Sequence, residues 1–136
     1  DFIGRIRHTA ERMLREIEHE FSSHSSHLSL RMSLDAKRHL FLFFKESLHN
    51  ILKHSKASHV DILIQSTGPH LILEIVDDGC GLPLDEHQQP IPVRKLADRA
   101  AVLEGQLRIE SKPNAGTHVR LQIHQSRLTG KPLSKK

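Results

Sequence analysis

Leu40-Phe41-Leu42-Phe43-Phe44-Lys45-Glu46-Ser47-Leu48-His49-Asn50-Ile51-Leu52-Lys53-His54 is the stretch on which the fold turns. At about 100° per residue, Leu40, Phe44, Leu48, Ile51 and Leu52 share one face of a helix, flanked by Phe43 and Ser47. Glu46, Asn50 and His54 follow at i, i+4 and i+8, a stripe drifting about 40° per step along the border between core and solvent faces. A carboxylate, a carboxamide and an imidazole on that border point into a cleft rather than into bulk water. A solvated helix side has the same spacing, so the surrounding sequence has to decide. Ser33 or Asp35 supplies an N-cap, and the spacing predicts a helix over 35–54.

Upstream, Phe2, Ile3, Ile6, Ala10, Met13, Leu14 and Ile17 recur at helical spacing and predict an amphipathic helix over 2–20. Residues 22–26 read as a polar break, and Leu28, Leu30 and Met32 alternate as a short strand. Downstream, residues 60–65 and 71–76 alternate on either side of Thr67-Gly68-Pro69-His70, which has the chemistry of a hairpin turn. Between Gly79 and Pro92 no periodicity survives, and a loop of this length suggests function. Residues 93–104 read as a helix ending at Gly105. Residues 107–109 and 119–123 form a second hairpin across Pro113-Asn114-Ala115-Gly116. The tail after His124 is polar. Helix, strand, helix, two strands, loop, helix, two strands is the order of an α+β fold: a two-layer sandwich with a mixed sheet covered on one face by about three helices.

The chain has 136 residues, enough for one core. Its longest apolar run, Leu40 to Phe44, falls far short of the ~20 residues of a membrane span. No charged-then-apolar leader is present. The sequence begins at Asp1 rather than Met, which leads us to expect a piece of a longer protein, with a membrane-spanning parent compatible with it. Cys80 is the single cysteine, which rules out an internal disulfide framework and fits a reducing, cytoplasmic setting. A net charge of +4 raises nucleic acid as a partner. Lys and Arg are interspersed with Asp and Glu, however, and Tyr and Trp are absent, so no stacking platform is available beyond Phe. Twelve histidines lack metal-ligand spacing and read as surface residues.

Two further clusters accompany the helix. Asp77-Asp78-Gly79-Cys80-Gly81 follows a strand directly, placing a carboxylate at a sheet end beside flexible backbone. Such a carboxylate accepts a hydrogen bond from an exocyclic amine. The Gly-Lys-Ser/Thr ending of a phosphate-binding P-loop is absent. Asn114-Ala115-Gly116-Thr117 opens the last strand.

In this order and spacing, the three clusters resemble the catalytic ATP-binding domain of two-component sensor histidine kinases. Lys45 to His54 resembles the N box, Asp77 to Leu82 the first glycine box, and Leu103 to Ser111 with Gly116-Thr117 the closing segment. The wording Glu-x-x-x-Asn-x-x-Lys-His is most similar to the nitrate-sensor and thermosensor branch. The match spans roughly 35–124. Residues 1–24 resemble the linker helix that precedes this domain, 25–126 the ATPase domain, and 127–136 a polar tail.

The resemblance implies a Bergerat-type fold, the nucleotide-binding fold shared with gyrase, and an enzyme that binds MgATP. Carried over by position, Asn50 would hold Mg²⁺, and Glu46 would be the catalytic carboxylate that orients a water or helps activate the attacking imidazole. Lys53 would meet the phosphates, and His54 would border the phosphates or ribose. Asp77 would bind the adenine amine, with Gly79, Gly81 and Leu82 lining the ring and Thr117 closing the far side. The γ-phosphate would pass to a histidine on a separate dimerisation and phosphoacceptor hairpin of the same parent, and then to a response-regulator receiver domain. No membrane contact by this domain itself is implied.

Two departures follow. The family's second glycine box is replaced here by Pro92-Val93-Arg94-Lys95-Leu96, which predicts weaker nucleotide binding or turnover and suggests that Arg94 or Lys95 contacts phosphate instead. His19-Glu20 resembles a phosphoacceptor dipeptide, but too few residues separate it from Glu46 for a two-helix hairpin, so His19 is expected on a helix surface. Other readings of the same residues are a non-catalytic nucleotide sensor, an anti-sigma-type protein serine kinase and, on charge alone, a nucleic-acid-binding module.

Overall fold

The computed structural model describes residues 1–24, 32–91 and 93–129. In chain order the elements are α1 (Phe2–Met13), β1 (Glu18–His24), α2 (Leu34–Asn50), β2 (His59–Thr67), β3 (His70–Asp77), α3 (Arg94–Val102), β4 (Gln106–Ser111) and β5 (Thr117–His124). The strands form one sheet in the order β1-β2-β3-β5-β4. β1 runs parallel to β2, and the remaining neighbours are antiparallel. The three helices cover one face, giving the expected α+β two-layer sandwich.

The alternation along β2, β3 and β5 aims Val60, Ile62, Ile64, Leu71, Leu73, Ile75, Val119, Leu121 and Ile123 into the core. α2 answers with Leu40, Phe43, Phe44 and Leu48, all fully buried. Its start is fixed by Ser33, whose Oγ accepts from the Ala36 amide at 3.0 Å. α1 adds Phe2, Ile3, Ile6 and Ala10 to the same core. The guanidinium of Arg5 lies over the Phe41 ring on α2 and that of Arg7 over Phe21 on β1, so α1 is clamped from both sides.

The structure corrects several sequence expectations. The helix predicted over 2–20 ends at Met13, and Glu18 to His24, including the first residues of the expected polar break, form an edge strand. Exposure there alternates with period two, with His19 and Phe21 turned toward the helices, and β2 supplies the backbone partners. His19 is therefore a half-buried strand residue, its Nδ1 2.9 Å from the Ile17 carbonyl, and not a helix-surface residue. Leu28 and Leu30 of the predicted short strand lie outside the described residues; Met32 is buried in a bend. The predicted helix over 35–54 is α-helical to Asn50 and continues as a π-helical turn, Ile51–Ser55. That widening moves Leu52 off the core face, and it is 46% exposed. After α3 the left-handed residue is Glu104, at φ +53°, rather than Gly105.

Candidate functional site

Register across the sheet brings three polar residues side by side at one end. Asp77 closes β3 opposite Thr117, the first residue of β5, and Thr117 in turn faces Ser111, the last residue of β4. Asp77 and Thr117 are both buried. Ser111 Oγ accepts from the Leu82 amide at 2.8 Å and lies 3.0 Å from Thr117 Oγ1, so the loop after β3 is pinned to the far strand pair. Asp77 Oδ1 accepts from Ser55 Oγ at 2.5 Å and from the Gly79 amide at 2.8 Å. These two donors hold the carboxylate against the wall of a narrow slot lined by Ser47, Asn50, Ile51, Leu82, Leu96 and Thr117.

The glycines of this region permit close approach of backbone segments. Gly79 and Gly81 do not line the slot. A Cβ on Gly79 would collide with Ser55, and one on Gly81, at φ +87°, would come within 2.5 Å of the Lys112 carbonyl. Gly116, at φ +79°, has the Asp77 carbonyl where a Cβ would stand. All three let backbone segments close on one another. Gly81 does line an outer cavity together with His54, Cys80 and Leu82.

The helix side supplies the rest. Glu46, Asn50, Lys53 and His54 line a cavity of about 190 Å³ together with His49, Ile91, Arg94 and Lys95. Asn50 is buried and lines both this cavity and the slot, so the two adjoin at that residue. Lys53, Arg94 and Lys95 set three permanent cations against the single carboxylate of Glu46. The slot is narrow and apolar, about 10 Å³ in volume, with the Asp77 carboxylate on its wall, and it adjoins the cationic chamber at Asn50. The charge of the chamber suits a polyanion. Glu46 and Asn50, one helical turn apart, offer the oxygen donors that Mg²⁺ prefers. Arg94 and Lys95 thus face the cavity expected of the missing glycines. Pro92 lies outside the described residues.

Four slot or support residues, Ser47, Ser55, Leu96 and Ser111, escape sequence reasoning. Ser47 and Ser55 hide inside the N-box stretch and its end, where a serine on a helix carries no mark of what it will face. The neighbouring Asp78 serves the loop instead, accepting from Ser58 Oγ and from the Ser58 and His59 amides at 2.7–3.0 Å. Those hydrogen bonds, the Ser58 hydroxyl first, hold its pKa below the ordinary carboxylate range. On the opposite, open face of the sheet His59 Nε2 lies 2.9 Å from Asp61 Oδ1, which raises the imidazole pKa. Glu20, His59 and Asp61 there form the one group with metal-ligand spacing among the described residues, away from the cleft. No helix among the described residues is long and apolar enough to cross a membrane.

Comparison with known proteins agrees with this geometry. Residues 35–127 match the family described as histidine kinase-, DNA gyrase B- and HSP90-like ATPase. The chain is 36% identical over 118 residues to the signal transduction histidine-protein kinase/phosphatase UhpB of Salmonella typhimurium, covering 83% of this chain and 23% of that protein. It is 30% identical to the sensor histidine kinase ComP of Bacillus subtilis, covering 68% of this chain and 12% of that one. The chain therefore spans a quarter or less of these two relatives. Among solved structures, the blue-light activated histidine kinase of Erythrobacter litoralis superposes with a TM-score of 0.68 at 20% identity, covering 92% of this chain and 41% of that one. The mycobacterial sensor histidine kinase MprB gives 0.64 at 17% identity, covering 90% and 93%.

Proposed function

We propose that this chain, which belongs to the histidine kinase-, DNA gyrase B- and HSP90-like ATPase family, is the ATP-binding catalytic unit of a sensor histidine kinase. It binds MgATP and passes the γ-phosphate to a histidine on a helical hairpin elsewhere in the parent protein; a receiver-domain Asp is the next acceptor. The observation that supports this reading is that Asn50 lines both the slot beside Asp77 and the cationic cavity. A base seated against Asp77 places its phosphates among Lys53, Arg94 and Lys95.

Each residue then has a role. Asp77 accepts from the adenine amine, while Leu82, Leu96 and Ile51 sandwich the ring and Thr117 closes the end beside Ser111. His54 borders the ribose and phosphates. Lys53, Arg94 and Lys95 neutralise phosphate charge, which is most of what phosphoryl transfer asks of a protein. Glu46 lines the chamber, where it would accept the proton an incoming imidazole gives up. Asn50, with Glu46, would hold Mg²⁺, which supplies charge neutralisation across the phosphates when bound. With no membrane-crossing helix among its described residues and a free thiol at Cys80, the unit suits the cytoplasmic side of a sensor.

The test has two parts. Thermal shift with ATP should raise stability by RT ln(1 + [L]/Kd). Radiolabelled ATP with the chain alone should leave it unlabelled, and addition of the parent's histidine hairpin should label the hairpin. Acid-labile label on the chain alone would place an acceptor within it. ATP binding with no label in the mixture would make it a nucleotide sensor.

A further inference from the structure

We infer that Ser55 is the positioning residue for base selection: it holds the Asp77 carboxylate with one oxygen bound inside the protein and the other presented to the 6-amino group of adenine. The inference rests on the proposed nucleotide reading and deepens it.

Ser55 is 1% exposed, and a buried hydroxyl needs a partner. The usual one on a helix is the carbonyl four residues back. Ser47 takes that option, donating to the Phe43 carbonyl at 3.0 Å. Ser55 donates instead to Asp77 Oδ1, at the short end of the range for a hydroxyl on a carboxylate. The π-helical turn makes this possible. In a 3.6-residue turn Ser55 would sit about 140° around the axis from Asn50, whereas an i→i+5 turn brings it back nearly to the same side. Lys56, at φ +53°, ends the helix immediately afterwards.

Three contacts converge on this one residue. Besides the Asp77 bond, the Ser55 carbonyl accepts from the Cys80 amide at 2.7 Å, and Ser55 fills the space that a side chain on Gly79 would need. A purely structural serine would need only the backbone bond and the packing. The hydroxyl adds something separate. Together with the Gly79 amide it donates to Oδ1, and since Asp77 lines the slot we assign Oδ2 to the base. A carboxylate only accepts, so Oδ2 welcomes a 6-amino purine and repels the carbonyl of a 6-oxo purine. Without the Ser55 proton the carboxylate has one anchor instead of two and turns more freely about its own bond.

Calorimetry on the full chain and on Ser55→Ala, with ATP and with purine riboside triphosphate, which lacks the amine, tests this. In Ser55→Ala, ATP should bind about tenfold more weakly, the loss of one charge-assisted hydrogen-bond arrangement. The amine-free triphosphate should change by less than about twofold, so the preference for ATP narrows. If Ser55→Ala does not fold, Ser55→Cys, nearly isosteric with a weaker donor, should show the same narrowing. Parallel weakening of both nucleotides, or an unchanged preference, would overturn the role. Failure of the unsubstituted chain to bind either nucleotide would overturn the nucleotide reading instead.

Discussion

Replacing Asp77 with Asn exchanges one carboxylate oxygen for an NH2, and the structure dictates which. Ser55 Oγ and the Gly79 amide both donate to Oδ1, so the amide oxygen has to take that place. The NH2 then occupies the position facing the slot, where the adenine amine arrives. An acceptor becomes a donor, and two donors confront each other. The charge-assisted hydrogen bond is worth about 1.5–3 kcal/mol, and a donor left unpaired in a closed slot costs a comparable amount. Since the two overlap, a loss of about 3 kcal/mol is expected, roughly 150-fold in Kd. The fold should survive, because both protein donors keep their acceptor; the melting temperature should move by less than about 4 °C. Inosine triphosphate, with a carbonyl where ATP has its amine, should gain on ATP because the new NH2 donates to it. Calorimetry with both nucleotides reads the two effects. An ATP affinity within about threefold of the parent chain, or no gain for the inosine nucleotide, would refute the assignment of Asp77 to the base.

Asn50→Ala should abolish the extra affinity that Mg²⁺ confers on ATP while leaving metal-free binding within a few-fold, read by calorimetry with and without the metal; full retention of the metal effect would remove Asn50 from the metal. The segment 83–91 should exchange its amides far faster than β3 and gain protection with nucleotide. Its hydrogen bonds are almost all internal, centred on Asp85, which accepts from the His87 and Gln89 amides at 2.8 and 2.9 Å, and slow exchange without nucleotide would contradict this. His59 should titrate above the ordinary histidine range by NMR and return toward it in Asp61→Asn. Because the folded imidazole holds its proton more tightly than the unfolded one, its contribution is full below about pH 6.5 and fades as pH rises through the raised pKa. Titration at or below the ordinary value would show that Asp61 does not act on it.

What was legible in the sequence was what periodicity records. The α2 face, from Leu40 to Leu48, and the alternating runs of β2, β3 and β5 bury large aliphatics at fixed spacing. β1 was not legible, because Phe21 is its one large apolar residue and it is held by parallel pairing to β2, a partner remote in sequence. Leu14 and Ile17 continued the helical rhythm past the true end of α1. The π-helical turn left no trace either: Ile51 to His54 reads as the end of an ordinary helix, yet the turn decides that Leu52 is exposed and Ser55 buried. Motif order singled out Glu46, Asn50 and Asp77, which the structure sets around the slot and the chamber. It did not mark their supports, because Ser55, Ser111 and Leu96 act only through the register that sets β3 against β5 and α3 against α2.

The start of α3 bears on how the chamber would hold phosphate in the proposed function. The first turn of a helix carries unpaired amides and a positive dipole, and proteins usually answer with a capping side chain or an acidic residue. α3 has neither: Val93 makes no side-chain cap, and no Asp or Glu stands in the first turn. Arg94 and Lys95 occupy that turn instead and line the cavity with Lys53, adding positive charge where a helix start already has it. Such a concentration of positive charge would be relieved by a polyanion in the cavity. Glycines would have offered backbone approach, which is directional and short in range; Arg94 and Lys95 offer charge, which reaches further and is screened by salt. ATP binding here should therefore weaken with ionic strength more steeply than the loss of a single contact would explain. Calorimetric titrations across a salt series read that slope, and Arg94→Gln with Lys95→Gln should flatten it. A slope unchanged by the double substitution would mean that these side chains do not meet the phosphates.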